Sequence, residues 1–275
     1  MTELIYDIGM HDGDDSKFYL RKGFRVVAVE ADPETCRATA ERLPTFIATK
    51  QLTIVNRAIA PARGPVTFYR SKTPGWGTIV DEWDADNAAR GVPSEPITVE
   101  GITLADLVAE YGDAFYMKLD IEGMDRRALE TLAETSVRPR YVSMETSFAR
   151  DPSFEAVQGD FELLAKLGYD RFKIIDQVHV EDQLSPDPPL AGCFVPVRFT
   201  SGASGLFGEE SPGPWLTREC ALDEFARLIR RKWLDIRLYR NMRYYLLYCK
   251  IMFRLTGRYP NLGWYDIHAK HSTVD

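Results

Sequence analysis

The sequence predicts an α/β protein, with a parallel sheet carrying helices on its faces and a helical extension after it. Two observations predict it. Short valine-rich apolar runs alternate with segments of helical spacing over the first sixty residues, the pattern of a parallel sheet. Beyond residue 218 the apolar residues recur at three- and four-residue steps, the spacing of one long amphipathic helix or two in tandem.

The elements follow in order. Leu4–Ile8 is a short buried strand ending at a glycine, and Asp14–Lys22 has helical spacing with Phe18 and Tyr19 on one side. "RVVAVE", Arg25–Glu30, is a strand by its β-branched content. Pro33 opens a second helix reaching to about Leu43, with Asp32 as its cap. Leu52–Ile59 is the third strand. From Ala60 to about Pro96 the chain reads as irregular, with an extra strand at Val66–Tyr69 and a turn-rich loop, "SKTPGWGTIV". Ile97–Val99 is a further short strand, and Thr103 caps a helix to Tyr111. Ala114–Ile121 is an apolar strand that ends in acidic residues. A helix over Met124–Ala133, a strand over Tyr141–Glu145, a helix over Phe154–Leu167 and a strand over Arg171–Asp176 complete the alternation. "EDQLSPDPPLAG" is a surface loop, and Phe194–Thr200 is taken as the last strand.

Residues 1–200 are therefore expected to form one domain, and 201–275 a connector and an extension. Ser201–Pro214, dense in Gly, Ser and Pro, reads as a mobile flap or connector. Leu222, Phe225, Ile229, Trp233, Ile236, Tyr239, Met242, Leu246, Cys249 and Phe253 then form an apolar stripe closed by Gly257.

Charge narrows the partners. The net charge is −7, yet Arg218–Arg258 holds 11 Lys and Arg against 4 Asp and Glu, so +7, leaving −14 on the rest. An acidic body with a basic tail is not a general nucleic-acid binder. Arg230, Arg231, Arg237, Arg240 and Arg243 interleave with aromatics on the tail. Three readings stay open for it: packing on the acidic body, a homo-oligomer interface, and peripheral docking on an anionic membrane. No apolar run reaches the roughly 18 residues of a membrane span, and no basic-then-apolar leader precedes Leu4. Cys36, Cys193, Cys220 and Cys249 form no CxxC pair, which fits reduced thiols, a cytoplasmic location and no metal site. His268 and His271 lack partners that would complete a metal set.

"DIGMHDG", Asp7–Gly13, lies between the first strand and the first helix. Gly9 permits a sharp turn, and Gly13 permits close approach of the backbone to a ligand. The amides opening the helix can meet polar groups there. Glu30 ends the next strand, where a carboxylate can accept from both ribose hydroxyls of a nucleoside. The loop is DxGxxxG, not GxGxxG. Asp7, Asp12, Asp14 and Asp15 disfavour a pyrophosphate and suit an amino group and a sulfonium. S-adenosylmethionine is thus the expected cofactor, with an NAD-dependent oxidoreductase as the alternative enzyme. A membrane-surface scaffold working through the basic helix is the non-enzymatic alternative.

Here the chain resembles the FkbM-type methyltransferases. "DIGMHDGDDSKFYLRKGFRVVAVEADP", "VNRAIA", "ITVEGITLADLV" and "MKLDIEGMDRRALETL" look like that family's successive motifs, over about Leu4–Glu145. The resemblance implies a Rossmann-like seven-stranded methyltransferase sheet with helices on both faces. It implies O-methylation, often of a sugar, glycan or natural-product hydroxyl. Carried over, Asp7, Gly9 and Gly13 would line the methionine part of the cofactor and Glu30 its ribose. Asn56 and Ala58 would take the adenine edge, and Met10, His11, Asp15 and Ala31 would be neighbouring contacts. Met10-His11-Asp12 stands where the family usually has a small residue and asparagine. The basic C-terminal third lies outside the common core.

A hydroxyl nucleophile must lose a proton during methyl transfer, so a carboxylate or histidine beside the methyl is expected. In "KLDIEG", Lys118, Asp120 and Glu122 share one side of the strand. Asp120 is the first candidate and Glu122 the second. Lys118 and Glu122 pairing structurally, with Asp120 only holding the cofactor amine, is the alternative. Glu145, ending the next strand, is a third candidate. Trp76 in the "TPGWGT" loop and His179 after a strand are candidate substrate contacts.

Overall fold

The computed structural model describes residues 2–73, 75–239, 241–257, 260 and 262–274. The chain begins with β1 (Leu4–Ile8), α1 (Asp14–Arg21), β2 (Arg25–Glu30), α2 (Pro33–Arg42), α3 (Pro44–Ala48) and β3 (Leu52–Asn56). The run Leu52–Ile59 breaks at Arg57, so β4 (Ala58–Ile59) belongs to another sheet. β5 (Gly64–Ser71), α4 (Asp81–Ala89) and β6 (Ser94–Ile102) follow; β5, β6 and β4 make a three-stranded sheet. Helix α4 was not legible in the sequence, because its apolar residues fall on no single face. α5 (Leu104–Tyr111) starts at a capping box in which Thr103 and Asp106 satisfy each other's backbone amides. Then come β7 (Tyr116–Leu119), α6 (Asp125–Leu132), β8 (Tyr141–Glu145), α7 (Phe154–Lys166), β9 (Tyr169–Asp176), α8 (Arg218–Arg231), α9 (Trp233–Tyr239), α10 (Met242–Thr256) and β10 (Tyr265–His271).

The main sheet has seven strands in the order β3-β2-β1-β7-β8-β10-β9. All run parallel except β10, which is antiparallel to both neighbours. Chain order reverses between β1 and β7, so their carboxyl ends open a crevice at a topological switch point. The central strands are buried on both faces, which is why they read as continuous apolar runs. Leu4, Tyr6 and Ile8 face one core with α5, α6 and α7, and Ile5 faces the other with Phe18, Tyr19 and Leu20 of α1.

Four expectations are corrected here. Phe194–Thr200 is not a strand. The last strand is β10, whose alternation of Tyr265, Ile267 and Ala269 went unread. The segment expected to be a flap is packed: Phe207 is fully buried, stacks on Tyr116 at 4.9 Å and meets Tyr19 edge-on at 5.1 Å. Glu210 beside it forms a buried ion pair with Lys22 at 2.9 Å. Residue 200 is therefore no boundary of the sheet, since β10 is inserted between β8 and β9. The expected one long helix, or two in tandem, is three, α8, α9 and α10. Arg240, between the last two, lies outside the described residues.

Candidate functional site

The turn after β1 is built around Gly9. Its amide and that of Met10 both donate to the Val29 carbonyl at 3.0 Å. Gly9 has φ +81, and a Cβ there would stand 1.9 Å from the Asp120 carbonyl oxygen. Only glycine lets the two central strands' ends approach this closely. His11 holds a left-handed backbone at φ 49. That conformation costs a non-glycine residue roughly 1–3 kcal/mol. Glu30 secures it: one carboxylate oxygen accepts from the His11 amide at 3.0 Å, and the other from the Asp32 amide at 2.9 Å. Burial pushes the Glu30 carboxyl above its ordinary value, against these two bonds.

Beneath the turn sits Lys118, buried on β7. Its ammonium donates to the Gly9 carbonyl at 2.8 Å. It lies 3.3 Å from Asp7 Oδ1, 3.7 Å from Asp15 Oδ2 and 3.8 Å from Asp120 Oδ2. Burial opposes its charge, but these three carboxylates outweigh burial and raise its pKa. Asp7 also accepts from Ser16 Oγ at 2.6 Å, and Asp15 receives the Ser204 amide on both oxygens. Burial lifts the Asp15 carboxyl to about 6, partly offset by Lys118. The supposed Lys118–Glu122 pair is not formed among the described residues; Lys118 reaches the other three carboxylates instead.

Past β7, Glu122 takes a left-handed backbone at φ 47, and its carbonyl accepts from Thr78 Oγ1 at 2.9 Å. Burial raises its carboxyl to about 8, with Asp120 and Asp125 adding to the rise and Arg150 opposing it. Asp125 is raised to about 7 by burial and then Asp120. Glu145 and Asp266 are pushed well up by burial and by the same acids. Several carboxyls thus compete for few charges, a setting in which one or more keeps its proton near neutral pH.

A cavity of about 560 Å³ opens over these groups. Of the expected cofactor contacts, Gly9, Met10, His11, Asp15, Glu30, Ala31, Ala58 and Asp120 line it; so do Glu122 and Trp76. Other expected residues do not. Asp7 is fully buried below the turn and holds Lys118 and Ser16. Gly13 begins α1 with φ +76 and packs toward Thr39. Asn56 donates to the Glu30 and Ala31 carbonyls at 3.0 Å, so it shapes the rim without facing the space. Glu145 feels the same acids but lies outside the lining. His179 is exposed beside Asp182 Oδ2 at 3.3 Å and does not line the cavity.

The acids expected to disfavour a pyrophosphate and suit an amino group and a sulfonium do not all carry free charge. Asp7 and part of the Asp15 and Asp120 charge are matched by Lys118, and Asp14 pairs with Arg42 at 3.0 Å. The sequence reading missed Arg70, a lining residue bound to Glu34 and Glu95, each at 2.8 Å. It missed Trp264, a lining residue just before β10 whose buried Nε1 has no partner among the described residues. It also missed Trp83, stacked under Arg150 at 4.1 Å and against Gly123. The alternation of β10 was the one signal that could have brought Trp264 and Asp266 to the site. Among the described residues, no group of three or more His, Cys, Asp or Glu is arranged to hold a metal ion.

Comparison with known proteins adds the following. A family model described as "Methyltransferase FkbM domain" matches residues 7–171. No curated protein sequence matches the chain significantly. Among solved structures, the chain is similar to methyltransferase FkbM from Methylobacillus flagellatus KT, with 13% identity and a TM-score of 0.43. That match covers 64% of this chain and 40% of that one, so it spans less than half of that protein. SAM-dependent methyltransferases from Geobacter sulfurreducens and Thiobacillus denitrificans, each in complex with S-adenosyl-L-homocysteine, are both 12% identical, with TM-scores of 0.39 and 0.37. Each of these matches covers 98% of this chain and 85% of the other.

Proposed function

This chain belongs to the FkbM methyltransferase family, and we propose that it transfers a methyl group from S-adenosylmethionine to a hydroxyl oxygen of a sugar, glycan or natural product. One observation carries this reading: the Gly9 turn, the Glu30 carboxylate, Asp120 and Glu122 line a single cavity over the reversal of strand order.

The residues fit such a donor. Each Glu30 oxygen already holds one backbone amide and keeps a lone pair for a ribose hydroxyl. Ala31 and Ala58 give an apolar wall for a base. Asp15 and Asp120 offer carboxylates to a cationic amine, while Lys118 fixes their positions. When bound, the donor supplies an electrophilic methyl carried on a sulfonium. The chain's task is to align a nucleophile with it and to receive a proton.

Glu122 is the proton acceptor in this reading. It lines the cavity, and burial holds its pKa at about 8, where a base is effective near neutral to mildly alkaline pH. Asp120 orients the donor. Trp76 and Trp264 add aromatic surface to the same cavity, suited to the apolar faces of a sugar ring.

A screen of hydroxyl acceptors with methyl-labelled donor tests this. Incorporation into oxygen is expected, falling by about 10²-fold or more in Glu122→Gln and falling also in Asp120→Asn. A product carrying the label on nitrogen or carbon would contradict the hydroxyl reading.

A further inference from the structure

The C-terminal helices divide into a packed half and an exposed half. On α8, Ala221 and Phe225 are buried, and Leu222, Leu228 and Ile229 pack partly on the core. Ile236 of α9 is buried as well. On α10, Tyr245, Tyr248, Cys249 and Met252 are half-buried, and the helix packs against α9. Tyr245 meets Tyr239 edge-on at 5.2 Å and donates to the Pro260 carbonyl at 3.2 Å.

The other side of α10 faces outward. Tyr244, Leu247, Ile251 and Leu255 follow at steps of three and four, on one face of the helix. They are 63%, 56%, 47% and 75% exposed. A contiguous apolar stripe of this kind marks an interaction surface. Arg243, Lys250 and Arg254, all exposed, lie along one flank of it. Among the described residues none of the three is in an ion pair, and α10 contains no Asp or Glu.

That charge selects the occupant. An antiparallel two-fold contact of α10 with itself would set three cations against three cations beside the stripe. An anionic lipid surface accepts both the stripe and its flank. We propose that α10 is an interfacial helix that docks the protein on an anionic membrane, with Tyr244, Leu247, Ile251 and Leu255 at the acyl boundary and Arg243, Lys250 and Arg254 among the headgroups. The helix lies in the plane of the surface; among the described residues, no helix is long and apolar enough to cross a membrane. The inference rests on α10 alone and is independent of the methyl-transfer reading.

The test is co-sedimentation of the full chain with vesicles of phosphatidylcholine, or of equal parts phosphatidylcholine and phosphatidylglycerol. The chain pellets with the anionic vesicles, stays soluble with the neutral ones, and is released by high salt. Replacing Arg243, Lys250 and Arg254 together by Gln weakens partitioning by roughly fivefold per charge, on the order of a hundredfold in all. Leu247→Glu with Ile251→Glu abolishes it without changing the thermal melt, because both side chains are exposed. A chain that stays in the supernatant with anionic vesicles overturns the proposal. So does a dimer in sedimentation velocity that Leu247→Glu dissociates.

Discussion

The Lys118 ammonium donates to the Gly9 carbonyl at 2.8 Å, tying the end of one central strand to the turn that leaves its neighbour. The same ammonium is the countercharge to Asp7 and Asp15, both buried. Lys118→Met leaves those carboxylates without it. We expect a loss of about 3–5 kcal/mol in unfolding free energy, as for breaking a buried pair from one side. Denaturant titration measures it. Wild-type stability in the variant would show that the acids neutralise themselves by binding protons.

Gly9 is the tightest point of the site. Gly9→Ala must move the Asp120 carbonyl, since the new Cβ would stand 1.9 Å from that oxygen. The positive φ adds its own strain. Together these cost about 2–5 kcal/mol. Donor-analogue binding should weaken in parallel, because the Asp120 backbone shifts with the turn. A melt like that of wild type would mean the two strand ends can separate freely.

Methyl transfer should depend on pH through Glu122. A carboxyl raised to about 8 is mostly protonated at neutral pH and acts as a base only once ionised. The initial rate therefore rises as pH passes through about 8 and then levels. Glu122→Gln should be slower by about 10²–10⁴-fold and lack this rise. An unchanged profile in the variant would assign the ionisation to another group.

Stability of the protein without its donor should carry the opposite slope. Asp15, Asp125 and Glu122 are raised to about 6, about 7 and about 8 from ordinary values near 4. A carboxyl raised on folding stabilises the fold while it holds its proton. That contribution is complete below its unfolded pKa and is lost as pH rises through the folded value. The melting temperature should fall between about pH 5 and pH 8, and less steeply in Glu122→Gln with Asp125→Asn.

His179→Ala should be silent. The ring is exposed, pairs only with Asp182 among the described residues, and lies outside the cavity. Stability within about 0.5 kcal/mol of wild type and an unchanged rate are expected. A rate loss with intact folding would restore His179 as a substrate contact.

Much of the cavity lining was legible because it is local. Asp7–Gly13, Glu30 and Lys118–Glu122 each sit at a strand end, and strand ends can be read from short apolar runs. Asp7 and Asn56, expected to touch the cofactor, lie near the turn without facing the cavity. Their side chains support it from below and behind, a distinction that depends on which way each points. The rest was hidden by sequence distance. Trp264 and Asp266 come to the site only because β10 threads back between β8 and β9. The Gly- and Pro-rich segment near residue 207 looked mobile. It is anchored by Phe207 and the Lys22–Glu210 pair, contacts that no local pattern announces. The α8–α10 stripe read as one face, but the helix breaks turn its last third outward.

Calorimetric titration of S-adenosylhomocysteine into the wild-type chain and into Glu30→Ala is the most direct test of the donor site. One-site binding is expected in wild type, with affinity reduced by at least about tenfold in Glu30→Ala, as for losing a charged hydrogen-bond acceptor, and no heat from NADH. No binding of S-adenosylhomocysteine, equal affinity in Glu30→Ala, or tighter binding of NADH would contradict it.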